Sequence, residues 1–185
     1  MLHLSIPAPA TTAHRRVLRR VGLMIGLGTA LLAAPAPAPA QSSDPNQLRA
    51  AIVFNVLRFV EFPAQTGSTI AFCVAPDAAE GDALRAFSGR RAGTRAVAVR
   101  TVRGGAYAGC DVVYLASADS DQIDRASARG RLVIGNGRNF IDNGGTVGLV
   151  QSGGQVRFQL NLKAASQNQL AISSRLIRLA ARVRR

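Results

Sequence analysis

The sequence predicts an α/β fold: a single-domain sandwich with a mixed β-sheet flanked by helices, preceded by a signal peptide. Three observations lead there. Beyond residue 40, short apolar strand-like runs alternate with helix-like runs over about two thirds of the remaining chain, the pattern of βα units. A hairpin signal, Ser152-Gly153-Gly154, then breaks the alternation, so the sheet has to hold antiparallel as well as parallel neighbours. No repeat or linker divides residues 41–185, and a chain of 185 residues suits one domain of ordinary size.

The N-terminal segment comes first. Residues 14–20 read HRRVLRR, a positive region, and residues 21–34 read VGLMIGLGTALLAA, an apolar run. A spanning helix needs about 20 such residues, so this run is short for an anchor. PAPAPA follows and ends in the A-x-A-like triplet Ala38-Pro39-Ala40, which reads as a cleavage site. The competing reading is an uncleaved anchor. Paired arginines at 15–16 and 19–20 also suggest twin-Arg export, but no cofactor motif calls for export of a prefolded chain. Cleavage after Ala40 leaves 145 residues and a periplasmic protein. It removes four Arg and no acid, so the net charge of +13 falls to +9.

The elements of residues 41–185 follow in order. Asp44 caps a helix, with Pro45 at its first position and Gln47 completing a capping box. That helix runs from about Pro45 to Glu61, with Leu48, Ile52, Val56, Phe59 and Val60 as its buried face. Pro63 ends it. Residues 69–75 read as a buried strand, 79–88 as a short helix, 96–102 and 111–116 as strands. A short helix spans 119–129, starting near Ser120, and 131–134 is a short strand. The stretch 135–145 is turn-rich. Strands 146–150 and 155–160 form the hairpin. Residues 161–168 form a short helix, and a closing helix spans about 173–184.

Composition excludes more chemistry than it suggests. Both His (His3, His14) and both Met lie in the first 24 residues. Once the signal is removed, Ser-His-Asp and Cys-His catalysis cannot be built, and neither can a His-containing zinc site. Two Cys are too few for a four-cysteine zinc or iron–sulfur site. No carboxylate pair stands out for acid–base work, because Asp119, Asp121 and Asp124 read as helix-start charges. The chain therefore reads as a non-enzyme with no cofactor and no metal.

Cys73 falls inside the first strand and Cys110 just before the third. Adjacent strands lie about 4.8 Å apart, so the pair can reach the Cα separation of a disulfide. An exported chain matures under oxidising conditions. Two free buried thiols are the alternative.

These residues also carry a family resemblance. The segment 50–63, AAIVFNVLRFVEFP, resembles the opening signature of the YfiR-like family of periplasmic proteins through Asn55, Arg58, Phe59, Glu61, Phe62 and Pro63. The family has Trp where this chain has Phe62. Cys73, and Cys110 opening the run Asp111-Val112-Val113-Tyr114, match next; the family often has His at the place of Asp111. The C-terminal third matches best, through Phe140, Gly144 and Gly145, then VRFQLNLKAA (156–165, with Phe158 and Asn161) and LAISSRLIRLAARV (170–183, with Ser173 and Ser174). The resemblance spans about 46–183. It implies an exported repressor that binds the periplasmic sensor region of a membrane-anchored diguanylate cyclase, an inner-membrane protein of cyclic-di-GMP signalling. It further implies sequestration by an outer-membrane lipoprotein, self-association in some members, and cysteines whose redox state tunes stability. The better-studied members carry a second Cys pair near the hairpin, where this chain has Gly and Val.

Other readings compete at single motifs. Gly135-Asn136-Gly137-Arg138-Asn139-Phe140 lacks the third glycine of a dinucleotide fingerprint and reads as a turn. Ser173-Ser174 reads as a helix N-cap. Asn55 reads as a buried amide bonded to a loop backbone, with a ligand-facing role as the second reading. Phe59, Phe62 and Phe158 read as core, with a portion of them lining a partner groove as the second reading. Arg175, Arg178, Arg182 and Arg185 step by 3, 4 and 3, which makes a basic stripe on the closing helix. That stripe is either a solvated face suited to the helix dipole or a contact for an acidic partner or lipid. A small-ligand sensor or carrier, with an anion or nucleotide held by arginines near the strand ends, is the alternative function. Nucleic acid is not an expected partner, since the basic charge comes with an export signal and no recognition motif. The signal reading is checked by intact-mass measurement of the exported protein, which should begin at Gln41; a retained 1–40 segment would identify an anchor.

Overall fold

The computed structural model describes residues 44–64 and 66–185. The expected signal peptide lies outside them. In chain order the elements are α1 (Pro45–Leu57), β1 (Val60–Glu61), β2 (Thr69–Val74), α2 (Gly81–Arg85), β3 (Arg91–Ala92), β4 (Arg95–Thr101), β5 (Val112–Leu115), α3 (Ser120–Ala126), β6 (Leu132–Asn136), β7 (Val147–Ser152), β8 (Gln155–Asn161), α4 (Leu162–Gln167), β9 (Ala171–Ile172), α5 (Ser174–Leu179) and β10 (Arg182–Arg184).

Eight strands form one mixed sheet in the order β10-β8-β7-β6-β5-β2-β4-β3. The centre is parallel: β4 and β5 flank β2, β6 follows β5, and β7 follows β6. The hairpin β7–β8 and the short pair β3–β4 supply the antiparallel neighbours. The mixed α/β sandwich expected from the sequence is therefore the fold.

Parallel strands are buried on both faces and so read as continuous apolar runs. All four residues of β5 are buried, and their alternation feeds two cores. Val112 and Tyr114 join Ile70, Phe72, Leu132 and Ile134 in a core that also takes in Val53, Leu57 and Leu84 from α1 and α2. Val113 and Leu115 join Cys73, Val133, Ile123 and Phe140 in a second core. The Phe54 and Phe87 rings stack 4.6 Å apart, with Arg90 over both, and this fixes α1 against the segment that follows α2.

Cys73 and Cys110 are joined by a disulfide with their Cα atoms 5.9 Å apart. Arg131 clasps the chain around it, donating to the carbonyls of Cys110, Ala126 and Tyr107 at 2.7–2.9 Å. Burial lowers the affinity of that guanidinium for its proton, and the Asp111 carboxylate works against this. Asp111 in turn accepts from the Ala71 backbone N–H at 2.8 Å and pins β2 to β5.

Several expectations need correction. α1 stops at Leu57, not Glu61: its last turn tightens, and Val60–Glu61 leaves to pair antiparallel with β9. Leu48 is 42% exposed and does not belong to the buried face, which Ala50, Val53, Phe54, Val56 and Leu57 supply. The closing helix ends at Leu179, and Arg182–Arg184 forms a strand parallel to β8. The Ala181 N–H donates to the Phe158 carbonyl, so the edge of the sheet claims backbone that a longer helix would have kept. The arginine stripe is therefore split between two elements, with Arg175 and Arg178 on α5 and Arg182 on β10.

Phe140 explains the glycines around it. Its ring lies against Gly135 and Gly145, and a Cβ on either would overlap the ring; at Gly135 it would also come within 2.8 Å of the Leu115 carbonyl. The G-x-G-x-x-F run is thus a turn that folds Phe140 back onto its own strand, with Gly137 at φ 112°.

Two outcomes follow. Alkylation of the unfolded protein without reductant should label no cysteine, and Cys73→Ala/Cys110→Ala should lose roughly 4 kcal/mol of stability for a bridge spanning 37 residues in sequence. Gly145→Ala should cost about 1–3 kcal/mol by overpacking, whereas Gly67→Ala, with open space at its Cβ, should leave the urea midpoint nearly unchanged.

Candidate functional site

α1 carries a second stripe beside its buried one. Ile52, Asn55 and Val56 share a helix face by their spacing, and Phe59 continues that side from the tightened turn just past the end of α1. Val156 and Phe158, two apart on β8, share a sheet face. Leu176 and Leu179, three apart on α5, share another helix face. Together they line an open, mainly apolar groove of about 390 Å³.

The short β1–β9 pair builds this groove. Val60 faces Ile172, Glu61 faces Ala171, and the Ser173 N–H donates to the Phe59 carbonyl at 3.0 Å. The end of α1 is thereby tied to the start of α5. Ser173 then caps α5, accepting from the Leu176 N–H at 3.3 Å, which is the N-cap role its sequence indicated. Leu176 faces inward, while Leu179 is left 60% exposed at the lip. Arg175 lies over the Phe59 ring at 5.7 Å, a cation–π contact on the rim.

Asn55 needs correction: it is exposed on the groove wall and is not a buried amide. Phe59 and Phe158 are only half-buried, so both open onto the groove, while Phe62 is core. Glu61 is exposed on β1. Pro63 lies where a Cβ on Gly130 would meet it at 3.4 Å. Gly144 holds φ 106° beside Ile123. Asn161 is buried; it accepts from the Ala164 N–H to cap α4 and donates to the Ile141 carbonyl. Ser174 is the exposed first residue of α5. The structure thus brings together Asn55, Phe59, Phe158 and Arg175 at one groove. Phe140, Gly144, Gly145 and Asn161 lie in the scaffold elsewhere.

Sequence reasoning missed a polar knot at the carboxyl ends of the parallel strands. Glu80 is 1% exposed. Its Oε1 accepts from Asn136 at 3.1 Å and faces Arg49 at 3.4 Å. The Tyr114 hydroxyl donates to Asn136 at 3.0 Å, and Arg49 reaches on to Gln151 at 3.3 Å. Burial, aided by the Glu80 charge, pushes the Tyr114 hydroxyl far above its ordinary pKa, so it remains a proton donor. Glu80 and Arg49 stand 31 positions apart, with no spacing motif to connect them. At the sheet edge, Arg182 holds Asp142 bidentately at 2.7 and 2.9 Å. Those hydrogen bonds first, then the charges of Arg182 and Arg184, keep the Asp142 carboxyl below its ordinary pKa. Among the described residues no three His, Cys, Asp or Glu converge on a metal position. Nor is any helix among them long and apolar enough to cross a membrane.

The YfiR/HmsC-like family matches residues 46–181, nearly all of the described chain. The protein belongs to this family. YfiR/HmsC-like proteins are periplasmic, regulatory and in general non-catalytic, and the disulfide suits an oxidising compartment. Among curated proteins none matches the chain. Two solved structures share its fold. One is a conserved domain protein from Vibrio cholerae, with 14% identity and a TM-score of 0.51, covering 76% of this chain and 60% of that one. The other is the ABC domain in complex with L-Trp from Streptococcus pneumonia, with 10% identity and a TM-score of 0.50, covering 75% of this chain and 60% of that one. The YfiR/HmsC-like chain thus spans about three fifths of either structure, and the likeness is one of fold alone.

Two measurements check the electrostatics. Tyr114→Phe should cost about 1 kcal/mol, the value of one hydrogen bond, while Glu80→Ala should cost more by stranding Asn136 and Arg49. Asp142→Asn should lower the melting temperature at neutral pH. That difference should disappear as pH falls well below the ordinary carboxylate pKa of about 3.9, because Asp142 then loses its charge in the folded wild type as well.

Proposed function

We propose that this protein binds the periplasmic sensor region of an inner-membrane signalling protein, a diguanylate cyclase, and holds it inactive. The observation that carries this reading is the groove. Three residues of the family motif, Asn55, Phe59 and Phe158, line it, and Leu179 stands exposed at its lip. An open apolar groove with an arginine and amides at its edge has the make-up of an interaction hot spot, an apolar centre inside a polar rim.

The mechanism is a population shift. A repressor works only through its difference in affinity for the two sensor arrangements. Moving a cyclase from mostly active to mostly inactive takes a preference of about 10⁴-fold for the inactive state. Anchors such as Phe59, Phe158 and Leu179 can contribute a preference of that size, because an apolar contact made in one arrangement and lost in the other is worth several kcal/mol over a few side chains. Release then requires a competitor for the same face, a role that an outer-membrane lipoprotein fills in the family reading.

Deletion of the gene should raise cellular cyclic-di-GMP, and the wild-type gene should restore it. Leu179→Glu should fail to restore it while the purified variant keeps the wild-type melting temperature, since Leu179 is outside the core. Cyclic-di-GMP that stays unchanged on deletion across several growth conditions would overturn cyclase repression. Full complementation by Leu179→Glu together with Phe158→Glu would remove the groove from the account.

A further inference from the structure

We propose that the cleft over β7, β8 and β10, on the sheet face opposite Phe158, binds a small soluble anion with a hydroxyl- or amine-bearing body. Arg138 and Arg157 would hold the anion and Gln159 the body. The site does not rest on the partner reading above, although Arg157 borders both the cleft and the apolar groove.

Strand alternation builds the cleft. Val150 faces Arg157 and Gly148 faces Gln159 across the hairpin, and Arg182 of β10 lies beside Gln159. The turn after β6 brings Arg138 and Asn139 over the same face, with Ser152 at the far end. The recess is about 460 Å³, within the usual range of about 300–1,000 Å³ for small-molecule sites. A bare inorganic ion would fill a small part of it, which leaves room for a body.

Charge sets the sign of that occupant. Three guanidinium groups and no carboxylate line the recess. Arg182 is already committed to Asp142. Among the described residues, Arg138 and Arg157 take part in no ion pair. Guanidinium forks match the oxygens of carboxylate and phosphate, which is why arginines that converge on a cavity recognise such groups.

Gln159 supplies an independent observation. Its Oε1 atom is buried and has no hydrogen-bond partner among the described residues. A buried amide oxygen without a donor is costly. An atom so enclosed cannot itself meet a ligand in the cleft, but Gln159 is only half-buried and lines the recess. Its open amide end offers an N–H to the anion, and turning the amide over would put the oxygen there to accept from a ligand hydroxyl or amine.

The test is isothermal titration of the full mature chain at about 150 mM salt, where weak surface pairing is screened. Glycerol 3-phosphate and citrate each join an anion to a hydroxyl, and glycerol is the neutral control. At least one anion should bind saturably, and glycerol should not. Arg138→Gln/Arg157→Gln should weaken binding at least about tenfold with the melting temperature unchanged, because both side chains are exposed. Arg103→Gln, on a separate exposed loop, should leave binding intact. Three results would overturn the site: no saturation by either anion up to about 10 mM, equal binding by the double variant, or association only with phosphatidylglycerol vesicles.

Discussion

A parallel sheet needs cover on both faces, and the rest of this structure depends on how that cover is shared out. Every residue of the middle strands β5 and β6 except Asn136 is buried: α1 and α2 close one side, and α3 with the Phe140 turn closes the other. Toward β8 and β10 the cover thins. On one face it leaves an apolar groove between α1 and α5, and on the other a polar recess floored by Gln159. Both candidate surfaces lie where the helical layers run out, and both use the outer strand β8. The scaffold and the exposed chemistry are therefore two ends of a single packing pattern.

The disulfide and Phe140 secure the face that has the least helix. α3 is a helix of only seven residues, too short to cover four strands alone. The Cys73–Cys110 bridge joins the start of β5 to the middle of β2, and Arg131 ties three further carbonyls around it. Phe140 fills the remaining space, which is possible only because Gly135 and Gly145 leave room for its ring. Three separate parts of the sequence thus do the work of one longer helix.

Much of the fold was legible in the sequence because buried parallel strands read as apolar runs: 69–75, 111–116 and 131–134 each overlap a central strand. The caps at Asp44 and Ser173 were legible for the same local reason, and each accepts from a backbone N–H two or three residues on; the Asn161 cap was not read. What escaped were elements set by distant pairing. β1, β9 and β10 are two or three residues long, and only a partner strand makes them strands; read alone, 173–184 has helical spacing. The groove was half legible. Phe59 and Phe158 were identified as motif residues, read first as core and second as groove lining, since an aromatic beside a helix's apolar face gives no sign of how far the neighbouring layer extends. The Glu80 knot and the arginine recess joined residues tens of positions apart and left no spacing to read.

β10 closes the sheet with the alternation Arg182-Val183-Arg184 and offers an unpaired backbone rim to its surroundings. Such a rim invites strands from other molecules, and charged side chains are a common defence. Two copies meeting here edge to edge would oppose four guanidinium groups, only partly offset by Asp142. The opposite edge, β3, is two residues long and also begins with an arginine. The charged β10 border is therefore poorly suited to growth by strand addition, while β3 covers only the first two residues of β4 at the other border. In a compartment crowded with unfolded secreted chains, the charge on β10 guards that border against seeding β-aggregates.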